Sequence, residues 1–231
     1  MDPPLGPSVQ TLPLFPLSLV LFPGTTMPLH IFEPRYRRLL ADCLAGDQRF
    51  GLIYLPESTA ERELPPGHVG CVAHVDSAEE MPDGRSNIVV SGGERFAVER
   101  FLDSPLPYAV AAVTAHEDIE EPTDRLEALA TDLRVLFVRV ARAAHILTDD
   151  RAPIPDLPNE PAMVAFRVAS LIDIDLPMRQ GVLTSRSPSL RIQEVQRVLD
   201  EALAPLERRA SMHLRAKTNG SGIGSASGTS T

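Results

Sequence analysis

The apolar residues of this 231-residue chain change their spacing for good close to residue 120. Upstream, runs such as 68–80 and 86–102 are rich in β-branched residues and are bounded by turn signals, which is typical of strands. Downstream, as in 124–147, apolar residues recur every three or four positions, which predicts amphipathic helices. Strands in one part and helices in another indicate an α+β fold, because a parallel α/β sheet would alternate them.

One helix is predicted inside the strand-rich part. Pro34 suits a first helical turn, where its missing N–H is not needed, and Gly46 suits a helix end. The predicted helix therefore covers 34–45, with one apolar face formed by Tyr36, Leu39, Leu40 and Cys43. The strand-like runs around it are 11–15, 49–55, 68–80, 86–102 and 108–116.

Glycine and proline mark the turns of the same part. Pro23-Gly24 and the Pro-Asp-Gly run at 82–84 are turn signals, and the second should join two antiparallel strands. Gly92-Gly93 predicts a further turn or bulge.

The downstream part predicts four helices, at 124–147, 160–173, 175–185 and 187–209. Asp124 and Glu127 have the spacing of a capping box. Asn159 and Ser187 can each cap the helix that follows them. Pro205 is expected to bend or end the last helix, because proline removes a helical hydrogen bond.

These patterns divide the chain into three regions. We predict a β-rich lobe over 10–116, a helical lobe over 117–210 and a disordered Gly/Ser-rich tail over 211–231. The acidic run at 117–121 is interpreted as a solvated linker between the lobes, since charge runs usually face water.

Charge and hydropathy exclude several classes of partner. The formal net charge is −9, and a chain this acidic is repelled by phosphate backbones, so no nucleic acid is expected. No uninterrupted apolar run approaches the length of about 18 residues that a membrane span requires. No positive charge precedes Arg35, which argues against a signal peptide. Cys43 and Cys71 lie in apolar surroundings, so a reduced, cytoplasmic protein is the expectation.

The sequence lacks the usual patterns of catalysis. It contains no phosphate-binding loop pattern and no G-x-S-x-G nucleophile elbow. Lys217 is the only lysine and falls in the predicted tail, so a Ser–Lys dyad is excluded as well. We therefore expect no enzyme activity and no cofactor.

His68, Cys71 and His74 have a spacing that suggests a metal site. On a strand, the two histidines would lie roughly 20 Å apart and the cysteine would point to the opposite face. Zinc ligands must converge to about 2–2.3 Å from the ion. We therefore expect no metal.

The segment at 31–36 holds the candidate binding residues, Phe32, Glu33, Arg35 and Tyr36. One interpretation is an exposed charged pair beside a binding groove. The other, which we favour, is structural: Glu33 sits near the positive end of the helix and Arg35 pairs with it locally.

The opening of the chain resembles the LON N-terminal domain of ATP-dependent Lon proteases, especially that of bacterial proteins that carry this domain alone. The motifs that carry the resemblance are LPLFPL at 12–17, LFPG at 21–24, PLHIFEPRY at 28–36, MPDGRSNIVVSGGERFAV at 81–98 and RQGVLTSRSPSLRIQEVQRVL at 179–199. It extends over about 10–206 and is most specific in the first block. The resemblance implies a PUA-like β pseudo-barrel lobe with one helix, followed by a C-terminal helical bundle.

The resemblance also implies a function. It implies a non-catalytic binding module that recognises polypeptide, either unfolded substrate or a partner protein, and that lacks the ATPase and protease domains of Lon. The alternative is a small-molecule or RNA-linked module, since PUA-like barrels often meet RNA. We expect the site on the β lobe or in the crease between the lobes, because creases supply apolar walls and a few polar groups.

Overall fold

The computed structural model describes residues 9–57 and 59–220. One helix lies among the strands, and the other four helices follow the last strand. The strands are β1 (Gln10–Leu17), β2 (Thr26–Ile31), β3 (Arg49–Tyr54), β4 (Val69–Glu80), β5 (Ser86–Phe101) and β6 (Val110–Ala115). The helices are α1 (Pro34–Leu44), α2 (Thr123–Thr148), α3 (Pro161–Leu171), α4 (Leu176–Thr184) and α5 (Pro188–Gly220). This order confirms the predicted α+β class.

Five strands close into a barrel. β1 pairs in parallel with β3 and antiparallel with β6, and β5 pairs antiparallel with both β4 and β6. β2 lies outside the ring and pairs only with β5. Closure leaves the barrel strands without a free edge, while β2 keeps one. The barrel interior is filled by Leu12, Leu14, Ile53, Val72, Phe96, Val98, Ala111 and Val113.

Two glycines on neighbouring strands make room for Phe96 inside the barrel. A Cβ on Gly70 would lie 2.4 Å from Cζ of Phe96 and 2.7 Å from the backbone oxygen of Leu52. A Cβ on Gly51 would lie 2.7 Å from the same ring. These distances are far below van der Waals contact, so both positions require glycine.

Helix α1 and its apolar face are confirmed, and the helix covers the outside of the barrel. Its buried residues are Tyr36, Leu39, Leu40 and Cys43. The ring of Tyr36 packs 4.2 Å from the ring of Phe15 on β1. The two predicted turns are also confirmed, because Gly24 and Gly84 adopt φ values of 69° and 77°, which side chains disfavour.

Several local predictions are wrong. β2 was not predicted, because Pro28 interrupts its pattern; an outermost strand tolerates proline. Gly92-Gly93 makes no turn, but the alternative prediction of a bulge is confirmed, because the register between β4 and the continuous strand β5 shifts there. α2 begins after Pro122 and has no side-chain cap, so the Asp124 capping box is absent.

The predicted N-cap is wrong for α3 and confirmed for α5. α3 begins after Glu160 rather than Asn159, again without a side-chain cap. Ser187 does cap α5, since its Oγ accepts a hydrogen bond from the N–H of Leu190 at 3.1 Å.

Helix α5 is longer than predicted. It continues past Pro205 to Gly220, so the predicted tail does not begin at 211, and residues 221–231 lie outside the described part of the chain. Buried residues on both sides of the proline, Leu203 and Ala210, hold the helix in place. Beyond Pro205, Glu207 pairs with Arg139 of α2 at 2.9 Å. Tertiary packing thus outweighs the local cost of the proline.

A buried ion cluster joins the barrel to the helices. The carboxylate of Asp118 lies between Arg95 of β5 and Arg191 of α5, and Nη2 of Arg191 donates to Oδ2 of Asp118 at 2.6 Å. Arg95 is 6% exposed and Arg191 is 1% exposed. The guanidinium of Arg191 also stacks 4.2 Å from the ring centroid of Phe166 on α3. The carboxylate of Asp118 therefore connects β5 to α5, and Arg191 extends the contact to α3.

Backbone carbonyls complete this cluster. Arg95 donates to the carbonyls of Leu183 and Ser185, both at 2.7 Å, and Arg191 donates to that of Ala162 at 3.1 Å. Burial lowers the pKa of Arg95, and Asp118 opposes that shift. Hydrogen bonds to charged groups are worth more than neutral ones, which offsets part of the desolvation cost.

The acidic run at 117–121 is therefore not simply solvated. Besides Asp118, the carboxylate of Glu121 accepts hydrogen bonds from the hydroxyls of Ser187 and Ser189 and, at 3.0 Å, from the N–H of Ser189. A negative charge at the first turn of α5 also stabilises the helix through its dipole.

The close packing around Gly70 predicts that a larger residue at this position lowers the stability of the protein. Gly70→Ala should lower the free energy of unfolding by about 1–3 kcal/mol, because the added methyl group overpacks the space next to Phe96. Gly181→Ala is the matched control: nothing lies within 4 Å of its Cβ position, and alanine favours the helix α4 by up to about 1 kcal/mol. Urea denaturation measures both. Equal stability of the two variants would contradict this packing.

The ion cluster predicts a larger effect at Asp118. Asp118→Asn should lower the free energy of unfolding by about 3 kcal/mol, because it leaves two buried guanidiniums without a counter-charge. Asp83→Asn removes a charge from an exposed pair with Arg85 and should lower the stability much less, because exposed ion pairs contribute little. Thermal and urea unfolding compare the two. A loss at Asp118 no larger than at Asp83 would show that the cluster does not hold the lobes together.

Candidate functional site

The candidate residues from the sequence lie where β2 passes into α1, and the structure separates them. Phe32 is 58% exposed, the largest exposure of any phenylalanine in the described chain. Tyr36 is only 4% exposed and belongs to the core against Phe15, and burial raises its pKa. Phe32 is therefore accessible to a ligand and Tyr36 is not, and a binding role for Phe32 stays a prediction.

Glu33 and Arg35 form a local ion pair, as the structural interpretation expects. Nε of Arg35 lies 3.0 Å from Oε2 of Glu33, and Nη1 lies 3.1 Å from Oε2 of Glu61. The Arg35 guanidinium also sits 4.4 Å from the ring centroid of Tyr36. These contacts hold Arg35 against the protein.

The exposed face of β2 and β5 forms a shallow groove beside Phe32, which we call the sheet groove. It has a volume of about 500 Å³, and Pro28, His30, Glu79, Asn87 and Val89 contribute to its lining. In the strand register, Pro28 faces Val89 and His30 faces Asn87. Nδ1 of His30 donates to Oδ1 of Asn87 at 2.7 Å. The His30 ring stacks with that of Phe32 at a centroid distance of 6.0 Å.

A second groove lies where the barrel meets the helices, and we call it the crease. Its volume is about 570 Å³, and its walls include Pro23 and Thr26 from the barrel and Leu157, Met163 and Arg167 from the helical side. A groove therefore exists at the place where the sequence analysis expects one.

The proline-rich loop that forms one wall of the crease is fixed to α2. Nη2 of Arg134 donates to the carbonyls of Pro158 and Asn159 at 2.8 and 2.9 Å. This wall is thus part of the rigid fold.

Strand β2 connects the two grooves. Thr26 lines the crease, and Pro28 and His30 line the sheet groove. Alternate residues of a strand share one face, so Thr26, Pro28 and His30 project on the same side, and Phe32 follows them with its ring against His30. We refer to the sheet groove, the crease and Phe32 together as the β2 surface.

Most of the β2 surface was missed at the level of sequence. Pro28 and His30 could not be placed, because β2 was not predicted, and Asn87 and Val89 of the predicted strand 86–102 therefore lacked their cross-strand partners. The usable signal was the alternation of Met27, Leu29 and Ile31 with more polar residues. Those three side chains pack against the core, which is the pattern of a half-buried strand.

The residues with metal-ligand spacing have other roles. The His68 ring contacts the carbonyl of Tyr54 at 2.9 Å. Cys71 is fully buried in the core. Within the described residues, no group of three or more His, Cys, Asp or Glu side chains could hold a metal ion. In the same part of the chain, no helix combines the length and apolar character needed to cross a bilayer.

Comparison with protein families gives one extended match. A family model described as the ATP-dependent protease La (LON) substrate-binding domain matches residues 11–201. The Lon protease of Syntrophus aciditrophicus is 28% identical over 206 residues, which are 86% of this chain and 26% of that protein. The Lon protease of Desulfosudis oleivorans is 24% identical over 202 residues, covering 86% of this chain and 25% of that protein. The chain spans about a quarter of the length of these relatives.

Two solved structures share the fold. The Lon N-terminal domain protein from Xanthomonas campestris is 26% identical, with a TM-score of 0.56, and the match covers 80% of this chain and 96% of that one. The N-terminal domain of Mycobacterium avium complex Lon protease has a TM-score of 0.64 at 16% identity, covering 84% of this chain and all of that one. The second likeness concerns the fold alone.

Proposed function

The chain belongs to the family of ATP-dependent protease La (LON) substrate-binding domains, and on that premise we propose that it is a module that binds polypeptide segments on the β2 surface. The family membership confirms the resemblance seen in the sequence. The match to a substrate-binding domain over 11–201 is the observation that carries the proposal.

The character of the β2 surface supports this ligand class. Phe32 is exposed beside Pro28 and Val89, and Leu157 and Met163 add apolar area in the crease. A clustered, exposed apolar surface of this kind is typical of sites that bind other proteins. The backbone and amide groups around it supply a few polar contacts, as at His30 and Asn87.

The proposed mode of binding relies on side chains of the exposed face. Strand addition to the free edge of β2 is disfavoured, because Pro28 has no N–H and proline on an edge strand blunts pairing. An unfolded segment must also lose conformational entropy when it binds. We therefore propose weak affinity per site, on the order of micromolar to millimolar, which corresponds to about −8 to −4 kcal/mol.

A single substitution tests the role of Phe32. Phe32→Ala should weaken binding of a reduced, carboxamidomethylated model protein by about five- to thirtyfold, because a truncated aromatic anchor costs about 1–2 kcal/mol. Fluorescence anisotropy of the labelled model protein provides the measurement.

The matched control for Phe32 is Val135→Ala. Val135 lies on α2 in the helical lobe and is 59% exposed, so its loss should leave the affinity unchanged. Affinities of the two variants that agree within error would remove Phe32 from the site. A permanently unfolded protein that shows no binding at roughly millimolar concentration would contradict polypeptide binding itself.

We further propose that these 231 residues have no ATPase or protease activity. Lys217, the sole lysine, lies near the end of α5 and pairs with Asp149, far from the setting of a buried catalytic base. We expect the purified chain neither to hydrolyse ATP nor to cleave casein. ATP turnover that follows the monomer through two successive purifications would overturn this expectation.

A cytoplasmic location belongs to the same proposal. Cys43 and Cys71 are both free and buried, and burial raises the pKa of both thiols. Unreactive, unpaired thiols suit a reducing compartment.

A further inference from the structure

We propose that the β2 surface selects apolar segments that carry lysine or arginine on their flanks, and that it discriminates against segments flanked by aspartate or glutamate. This inference rests on the proposed function, because it names the class of polypeptide that the same surface takes. It follows from the distribution of charge around the two grooves.

Four exposed carboxylates border the β2 surface without an ion-pair partner. Glu79 lines the sheet groove, and Asp156 and Glu160 line the crease. Asp76 lies between them, where its Oδ1 accepts a hydrogen bond from Ser91 at 2.9 Å. Within the described residues, no salt bridge involves any of the four side chains. These carboxylates are therefore available to a ligand.

Cations are scarce along the same surface. Arg167 is the only arginine that lines either groove, and no lysine lines them. The three lining carboxylates and this guanidinium give the two grooves a net formal charge of −2, with His30 counted as neutral, and Asp76 adds a further negative charge beside Ser91. A ligand that lies along it meets a negative potential, which attracts cationic groups and repels anionic ones.

The strand register places the carboxylates at both ends of the apolar part. Glu79 faces Asn87, which in turn faces His30 near Phe32. At the other end, Ser91 faces Thr26 and holds Asp76, and the crease with Asp156 and Glu160 begins there. Thr26 and His30 are four residues apart, roughly 13 Å along a strand. An extended segment with an apolar centre of about four residues would bring its flanking charges to these carboxylates.

The expected discrimination is moderate, because all of these ion pairs are exposed. Exposed ion pairs are individually weak. We expect four of them together to change the affinity by about tenfold at low ionic strength. The difference should shrink as salt screens the exposed charges, with a Debye length of about 10 Å at 0.1 M and about 3 Å at 1 M.

Two labelled peptides test this inference. Both share the core Phe-Leu-Val-Leu, and they carry either two lysines or two glutamates at each end. Anisotropy titrations with the full chain should show about tenfold tighter binding of the lysine peptide at 20 mM salt and less than about threefold at 1 M. Equal affinities at low salt, or tighter binding of the glutamate peptide, would overturn the inference.

A pair of charge-matched variants locates the effect. The site variant combines D76N, E79Q, D156N and E160Q, and the control variant combines E120Q, E127Q, D132N and D200N. Each removes four exposed negative charges, but the control charges line neither groove. The lysine preference should vanish in the site variant and persist in the control. Persistence in the site variant, or equal loss in both, would show that net charge rather than the β2 surface selects the ligand.

The outcomes also separate this inference from the proposed function. If both peptides bind with equal affinity and both lose binding in Phe32→Ala, polypeptide binding on the β2 surface stands and charge selection fails. If neither peptide binds and the unfolded model protein does not bind either, the proposed function fails and the inference fails with it.

Discussion

The contact of Asp118 with Arg95 and Arg191 fixes how the two halves of the molecule meet. One carboxylate serves two buried guanidiniums, and backbone carbonyls of the α4 region and of α3 accept further hydrogen bonds from them. Nε of Arg191 has no hydrogen-bond partner among the described residues, and among those residues Asp118 is the only carboxylate that pairs with Arg191. A buried charge left without its partner is costly. The crease, which needs barrel and helices at a fixed distance, depends on this contact.

The opening of the chain builds the wall on the other side of the crease. Phe22, from the LFPG motif, packs 5.7 Å from Phe166, and Phe166 in turn carries the guanidinium of Arg191. Gly24 then turns the chain into β2. The same short motif thus packs against the helical lobe through Phe22 and turns the chain into β2 at Gly24. The prolines in this stretch lie in the turn at Pro23-Gly24 and in the edge strand β2.

Local patterns predicted most of the fold, and distant contacts account for what they missed. Helix α1 and its buried face followed from the spacing of Tyr36, Leu39, Leu40 and Cys43. The role of Asp118 could not be read from an acidic run, because its partner Arg191 is 73 residues away. In the candidate site, Tyr36 lies in the core, as its place on the apolar helix face predicts, whereas Phe32 is exposed. The two are four residues apart, but Phe32 precedes the helix, so helical spacing does not place them on one face.

Hydrogen exchange on the full chain, with and without a reduced, carboxamidomethylated model protein, tests the location of the binding surface most directly. We predict slower exchange in 26–33, 86–91 and 154–164, which hold β2, the facing part of β5 and the helical wall of the crease. The outer face of α5 around 204–215 should exchange at the same rate in both samples. Protection confined to α5, with none along β2, would contradict the account.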